Sequence, residues 1–158
     1  MPKHADDDSS LEALLRASRA FSGVVAASLA QVGDQITPQQ LRVLVIVGTR
    51  DRVKASDISH ALDIHPSSAT RLCDKLVTGG WIDRRVDPDD RRQVALHLTR
   101  NGSALLATVM DHRRRDLQRV LDALTPRDRA NLNRCLTLIS DALGEPHEGA
   151  WHLDEHQP

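Results

Sequence analysis

The stretch ASDISHALDIHPSSATRLCDKLVTGGWIDRRVDPDDRRQVALHLTRNG, residues 55–102, decides the fold of this chain. Its first residues predict a short helix, because apolar side chains recur three and four positions apart, at Ile58, Ala61 and Leu62. Pro66 suits the first turn of a second helix, where a backbone N–H would have no helical partner. The glycine pair at 79–80 predicts the end of that helix. The stretch therefore opens with two helices joined by a tight turn.

The second predicted helix has two chemically different faces. One face is apolar and is spaced for burial in a core: Ala69, Leu72, Cys73 and Leu76. The other face carries hydroxyl, basic and acidic groups: Ser67, Ser68, Thr70, Arg71, Asp74 and Lys75. We expect the apolar face to be buried and the polar face to be open to solvent or to a partner.

A hairpin with a basic tip is predicted after this helix pair. Trp81 and Ile82 begin an extended run, and the segment DPDD at 87–90 predicts a turn. Beyond the turn, apolar residues alternate with other residues and predict a strand with one buried face: Val94, Leu96 and Leu98. Two helices followed by such a hairpin predict a winged helix-turn-helix.

The chemistry of this module suits double-stranded DNA. Hydroxyls and an arginine near a helix N-terminus can reach base edges and phosphates in the major groove, and arginines at a hairpin tip suit the minor groove. The predicted DNA-binding residues are Ser67, Ser68, Thr70, Arg71, Lys75, Arg91 and Arg92. Each of these residues also has an explanation that does not involve DNA. The serines could cap the helix, and the charged groups could form weak ion pairs at the surface.

Charge is distributed unevenly along the chain. The whole chain has a formal net charge of −1, which by itself does not indicate a nucleic-acid partner. Residues 50–119 hold 14 Lys and Arg against 10 Asp and Glu, whereas the remaining residues hold 7 against 12. The positive charge is therefore concentrated where the predicted DNA-facing elements lie, and this distribution favours DNA binding.

Length and composition exclude several other classes. The 158 residues suffice for one domain with a core, and with 2% aromatic residues that core must be aliphatic, which favours packed helices. No run of about 18 uninterrupted apolar residues predicts a membrane span. The acidic N-terminus is unlike a signal peptide. We expect a cytoplasmic protein that does not bind membranes and is not an enzyme.

Further helices are predicted on both sides of the central module. Ser9 and Glu12 have capping-box spacing, so the first helix is predicted to begin at Ser9 and to end near Val32. Residues 1–8 have the composition of a disordered tail. The later helices are predicted to begin at threonine N-caps: Thr37, Thr99 and Thr125.

These elements form one domain over residues 9–144, mainly α with a small β component (α+β). The winged helix-turn-helix lobe is predicted over 37–99, the flanking helices over 9–32 and 100–144, and a flexible tail over 145–158. The flanking helices carry apolar stripes that need another helix as a partner, and these stripes include Leu11, Leu14, Leu15, Leu132, Leu136, Ile139 and Leu143. An intramolecular bundle and a second copy of the chain explain these stripes equally well.

The chain resembles the MarR family of bacterial transcriptional regulators. The resemblance lies in DPDDRR at 87–92, in LHLTRNG at 96–102, in the spacing from Thr70-Arg71 to Arg84-Arg85, and in TPQQL at 37–41. Many wings of the family carry an arginine where this chain has Asp89, and this departure removes one of the family's wing contacts.

The resemblance implies a homodimer that is built by its terminal helices and binds a pseudo-palindromic operator as a repressor. It implies release by a small organic ligand. It also implies that Arg92 enters the minor groove, while Asp89 or Asp90 pairs with Arg91 to brace the wing. Some members of the family sense peroxide through a cysteine in the first helix, which this chain lacks.

Two alternatives to DNA binding are a winged-helix module that binds protein and a metal-dependent protein. The basic residues of the wing argue against the protein-binding module. Scattered histidines favour the second, but neither His112 nor the pair His152 and His156 completes a known metal motif, so no cofactor is predicted. Cys73 and Cys135 lie at apolar helix positions and are expected to be small core residues rather than redox sensors.

Overall fold

A computed structural model of the chain describes residues 3–50, 52–86 and 94–145. These residues form six α-helices, one 3-10 helix and a two-stranded antiparallel sheet. In chain order the elements are α1 (Lys3–Ala30), the 3-10 helix (Gly33–Gln35), α2 (Pro38–Thr49), α3 (Ala55–Ala61), α4 (Pro66–Thr78), β1 (Ile82–Val86), β2 (Val94–Leu98), α5 (Arg100–Asp122) and α6 (Pro126–Ala142). The predicted mainly α architecture with a two-stranded wing is confirmed.

Helix α2 lies at the centre of the core. The Thr37 side chain accepts a hydrogen bond from the backbone N–H of Gln40, and the Gln40 side chain accepts one from the N–H of Thr37, at 3.2 and 2.8 Å. This capping box satisfies backbone donors that the first turn leaves free. The helix then buries residues on nearly every side: Leu41, Val43, Leu44, Ile46 and Val47.

One aliphatic core joins α2 to the elements that follow it. We call this unit, residues 37–110, the central lobe. Its other buried side chains come from α3, α4, both strands and the first half of α5: Val53, Ile58, Ala69, Leu72, Cys73, Leu76, Ile82, Leu96, Leu105, Leu106, Val109 and Met110. Because each fully buried Leu, Ile, Val or Met contributes about 1.5–3 kcal/mol, this cluster holds the lobe together.

The turn between α3 and α4 is held by Ser59. Its buried hydroxyl donates to the carbonyl of Ile64 at 2.7 Å, and the N–H of Ile64 donates to the carbonyl of Ser59 at 3.1 Å. Asp63 adopts a positive φ of 49° between them, a conformation that Asp tolerates better than most residues. These contacts fix the angle between the two helices of the pair.

The two strands pair antiparallel from Ile82↔Leu98 to Val86↔Val94. A bridge between Val53 and Leu96 extends this sheet, with the Leu96 N–H donating to the Val53 carbonyl at 2.7 Å. The predicted alternation along β2 is wrong at its start, because Val94 is exposed and Ala95 is buried. Val94 faces Val86 at the far end of the described hairpin, where no core lies beneath it, so alternation brings no burial there.

The start of α5 lies directly against the end of the α4–β1 turn. Thr99 caps α5 by accepting from the N–H of Gly102 at 3.0 Å, and its hydroxyl donates to the carbonyl of Gly80 at 2.6 Å. The N–H of Thr99 donates to the carbonyl of Trp81 at 3.1 Å. A Cβ on Gly102 would lie 1.9 Å from that carbonyl oxygen, so no other residue fits at position 102 without backbone movement.

Helix α1 begins earlier than the sequence predicts. It starts at Lys3, so the predicted disordered tail is wrong for residues 3–8, and Ser9 lies inside the helix instead of capping it. The physical reason is that no glycine or proline interrupts residues 3–10. A serine or an aspartate inside a helix costs only a few tenths of a kcal/mol relative to alanine.

The outer helices leave apolar side chains exposed. No residue of α6 is buried, and exposed apolar residues lie on α1, α5 and α6: Leu11, Leu14, Leu15, Phe21, Val120, Leu136, Leu138 and Leu143. Cys135 is exposed as well, so its predicted place in the core is wrong for this chain by itself. The reason is that α6 projects its stripe away from the central lobe.

Helix α1 also passes a simple test for a membrane span. Asp7–Ala30 is long and apolar enough by length and composition, whereas the search for uninterrupted apolar runs predicts no span. The difference arises because alanines, valines and leucines raise the mean hydropathy of α1, whereas serines and the two arginines, Arg16 and Arg19, interrupt its apolar run. The same composition suits a helix that packs against other helices.

We predict that Gly102→Ala destabilises the protein by about 3 kcal/mol or more, the upper end of the range for overpacking. The added methyl group would occupy the position of the Trp81 carbonyl oxygen and would push α5 away from the α4–β1 turn. Urea unfolding measures the change, and Asn101→Ala, at the exposed neighbouring position, serves as the control. Equal unfolding midpoints for the two variants would contradict the prediction.

Candidate nucleic-acid interface

Helix α4 presents a polar face opposite the core. Its buried residues are the four that the sequence predicts: Ala69, Leu72, Cys73 and Leu76. The predicted DNA-facing residues of the helix are all exposed: Ser67, Ser68, Thr70, Arg71 and Lys75. Four buried anchors on a 13-residue helix hold it firmly, so the exposed side chains project from a rigid support.

Arg71 and Lys75 provide the positive charge of this face. Within the part of the chain that the structure describes, neither side chain forms an ion pair with a carboxylate. Thr70, in contrast, uses its hydroxyl hydrogen internally, because it donates to the carbonyl of Pro66 at 3.0 Å. The two cations therefore remain available to an anionic partner, whereas Thr70 offers mainly its oxygen as an acceptor.

His65 is a residue of this face that sequence reasoning missed. It is the N-cap of α4, and its Nδ1 accepts from the N–H of Ser67 at 3.3 Å and lies 2.9 Å from the Ser67 hydroxyl. Because a backbone N–H can only donate, Nδ1 carries no hydrogen, and the neutral ring carries its hydrogen on the exposed Nε2. The position of His65 directly before Pro66 could have identified it as the N-cap. Histidine, however, is not among the residues that N-cap positions prefer.

Two arginines at the base of the hairpin pair with carboxylates. Arg84 on β1 donates to Asp74 on α4 at 2.6 Å, and Arg85 donates to Asp83 at 2.9 Å. The sequence leaves these arginines as either phosphate contacts or internal braces, and the geometry favours braces. Both pairs are largely exposed and add at most about 1 kcal/mol each. The Arg84–Asp74 pair therefore orients β1 relative to α4 more than it stabilises the fold.

The outer end of the described hairpin extends beyond the buried core of the central lobe. At the far end of its described part, Val86 and Val94 face each other with 58% and 45% of their surfaces exposed. The predicted wing residues Asp89, Asp90, Arg91 and Arg92 lie outside the described residues. The described strands end, at Val86 and Val94, on the exposed side of the lobe.

Comparison with known proteins assigns the chain to a family. A model of the MarR family matches residues 36–94, which run from two residues before α2 to the start of β2. The multiple antibiotic resistance protein MarR of Salmonella typhimurium is 30% identical over 105 residues, which cover 66% of this chain and 73% of that protein. The chain belongs to the MarR family.

Solved structures of similar proteins share the MarR fold. The crystal structure of RV1404 from Mycobacterium tuberculosis is 36% identical, has a TM-score of 0.77, and covers 89% of this chain and 95% of that chain. FabT of Streptococcus pneumoniae, solved in complex with DNA, is 21% identical with a TM-score of 0.69, covering 83% of this chain and 94% of that chain, and it shows the shared fold. Matched segments span about half to two thirds of the length of other curated regulators and repressors.

The remaining candidate residues have structural explanations in this MarR-family chain. His112 lies 3.4 Å from Asp116, which also accepts from Arg119 at 3.0 Å, so this histidine belongs to an ion-pair cluster on α5. No group of three or more potential metal ligands occurs among residues 3–50, 52–86 and 94–145. The tail histidines lie outside these ranges.

Cys73 is buried beneath the polar face of α4. Burial raises the pKa of its thiol, and the nearby Arg84 guanidinium opposes this effect without reversing it. Since the thiolate is the reactive form of cysteine, a raised pKa and a buried sulfur both make this residue inert.

We predict that Cys73 in the native protein resists alkylation by iodoacetamide at pH 8 and reacts readily after unfolding in urea. Mass spectrometry of the tryptic peptides measures the extent of reaction at each cysteine. Complete alkylation of both cysteines in urea provides the reference for the native reaction at Cys73. Equal native and unfolded rates at Cys73 would show that this thiol is accessible and would reopen a sensing role.

Proposed function

We propose that this MarR-family chain is a sequence-specific DNA-binding transcriptional regulator. The observation that carries the proposal is the exposed polar face of α4, on which Arg71 and Lys75 have no carboxylate partner among the described residues. Four buried side chains fix this face beside a projecting hairpin. Membership of a family whose curated relatives include repressors supports a repressor.

The proposed major-groove contacts follow from positions on α4. Arg71 projects from the second turn and is suited to read a base edge, since a guanidinium can donate two parallel hydrogen bonds to guanine. Ser67 and Ser68 lie in the first turn, where backbone N–H groups favour a phosphate. The Nε2 hydrogen of His65 adds a donor at the same end. Lys75, a turn beyond Arg71, is suited to a phosphate contact.

The proposed minor-groove contact is made by the wing. From the family resemblance we infer that Arg92 enters the groove and that Asp89 or Asp90 pairs with Arg91 to brace the turn. The ion pair between Arg84 and Asp74 supports a wing with a fixed base, because it links the first strand to α4. A hairpin oriented in this way can reach the groove next to the one that α4 occupies.

We also propose that the chain acts as a homodimer whose terminal helices pack together. Leu11, Leu14 and Leu15 on α1 expose 56%, 48% and 44% of their surfaces. On α6, Leu136 is exposed, and Leu132 and Ile139 are half-buried. Leu143, directly after the helix, is exposed as well. A second copy of the chain would cover these stripes, and this also accounts for a helix α1 that is apolar enough to cross a membrane.

Regulation by a small organic ligand belongs to the proposal through family resemblance. The crevice between the outer helices and the central lobe is the expected location. Arg42, a candidate to receive an anionic ligand there, forms an ion pair with Glu145. A separate open cavity of about 330 Å³, lined by Arg50, Val53, Asp57, His60 and Ala61, lies at the junction of α2 and α3. A dimeric operator-binding repressor of this kind would act in the cytoplasm.

We predict that Arg71→Ala weakens binding to the preferred operator and changes the preferred sequence, because a base contact is lost. Removal of one base-reading side chain costs about 1–3 kcal/mol per half-site. Arg92→Ala is expected to weaken binding with little change in sequence preference and to give a shallower dependence on salt, because a minor-groove arginine reads charge and groove width. Selection from a randomised duplex library at two salt concentrations measures both effects.

Arg134→Ala is the matched control for these variants, since Arg134 is an exposed arginine on α6, far along the chain from the proposed interface. It should bind the selected duplex as the wild type does. Unchanged binding by Arg71→Ala would remove α4 from the interface. Unchanged binding by Arg92→Ala would remove the wing and favour the protein-binding alternative.

We predict that Leu15→Glu converts the dimer to a monomer or to a much weaker dimer, because a charge would replace a leucine at the centre of the proposed interface. Ala20→Glu, at an exposed position on the opposite side of α1, is the control and should remain dimeric. Sedimentation velocity over a range of concentrations measures the association. A monomeric wild type would overturn the proposed dimer.

A further inference from the structure

One ion pair connects α2 to the chain just beyond α6. The guanidinium of Arg42 donates two hydrogen bonds to the carboxylate of Glu145, one from Nη1 to Oε1 at 2.6 Å and a second from Nη2 to Oε2. The two residues are 103 positions apart in the sequence. Two parallel hydrogen bonds between planar groups restrict rotation as well as distance, so this pair fixes an angle between the segments that carry it.

Helix α6 lies at the outside of the described chain. None of its residues is buried. Near its start, Arg129 lies 3.8 Å from Asp122, but that residue ends α5, the helix immediately before α6. The Arg42–Glu145 pair, in contrast, connects the chain just beyond the end of α6 to α2, the core helix of the central lobe.

The local electrostatics keep the pair charged at neutral pH. The hydrogen bonds from Arg42 lower the pKa of the Glu145 carboxyl, and the positive charge of Arg50 acts in the same direction. Partial burial of Glu145 opposes these effects without overcoming them. Each side chain remains 41% exposed, so the pair contributes little to overall stability, and its removal should leave the fold intact.

We propose that Arg42 and Glu145 are positioning residues that set the orientation of the central lobe relative to the outer helices. This inference rests on the proposed function, in which the outer helices hold two lobes in one dimer. The angle of each lobe then determines the separation of the two α4 helices and the spacing of half-sites that both can occupy at once. Without the pair, the lobes sample more orientations, and simultaneous binding carries a larger ordering cost.

The test compares two duplexes: one selected by the wild-type protein from a randomised library, and the same duplex with one half-site scrambled. For Glu145→Gln and Arg42→Gln, we expect about tenfold weaker binding to the two-site duplex and an unchanged affinity for the one-site duplex. Moving the half-sites apart by one base pair should weaken wild-type binding more than binding by either variant. The exchange Arg42→Glu with Glu145→Arg should restore most of the wild-type affinity and spacing preference.

Asp111→Asn is the matched control, because it removes an exposed ion pair with Arg114 that lies wholly within α5. It should leave both affinities unchanged. Thermal unfolding confirms that each variant is folded before binding is measured. Equal losses on the two duplexes, no loss on either, or failure of the charge exchange to restore binding would overturn the inference. A wild-type protein that selects no duplex would instead overturn the proposed function itself.

Discussion

The close contact between Gly102 and the carbonyl group of Trp81 is the constraint on which the rest of the structure depends. A Cβ at position 102 would lie 1.9 Å from that oxygen, so the backbones meet without any intervening side chain. Thr99 fastens the same junction by capping α5 and donating to the carbonyl of Gly80. The end of α4, the base of the wing and the start of α5 therefore meet at one rigid point.

The polar face of α4 illustrates how one helix separates support from recognition. Four buried apolar side chains and the Ser59 turn hold the helix, and the charged residues opposite them are left without internal partners among the described residues. Asp74 is the exception on this face, because it is used to hold Arg84 and thereby the first wing strand. Arginines and lysines that can bind an anionic ligand are thus distinguished from those that stabilise the fold by whether a carboxylate of the chain pairs with them, and not by their residue type.

The outer helices differ from the central lobe in how much of their apolar surface is buried. The central lobe buries an aliphatic core, whereas α6 buries no residue and α1 exposes three leucines near its N-terminus. Such surfaces are costly in water unless another apolar surface covers them. The Arg42–Glu145 ion pair joins these two differently organised parts, and in the proposed dimer this half-exposed interaction influences geometry more than stability.

The sequence by itself determined the order of the elements, the buried face of α4 and the capped starts at Thr37 and Thr99, because these features depend on local periodicity and on hydrogen bonds within a few residues. It also pointed to the family through the residues around the wing. Only the tertiary structure decided the role of Arg84, the position of Gly102 against Trp81 and the pairing of Arg42 with Glu145, because each depends on a residue brought close by folding. The exposure of Cys135 is another such case, since a local apolar pattern predicts a helix face to be covered without identifying what covers it. The early start of α1 at Lys3 was missed for a different reason: the Ser9 capping signal is one of several competing preferences, and the absence of a helix breaker before it outweighed that signal.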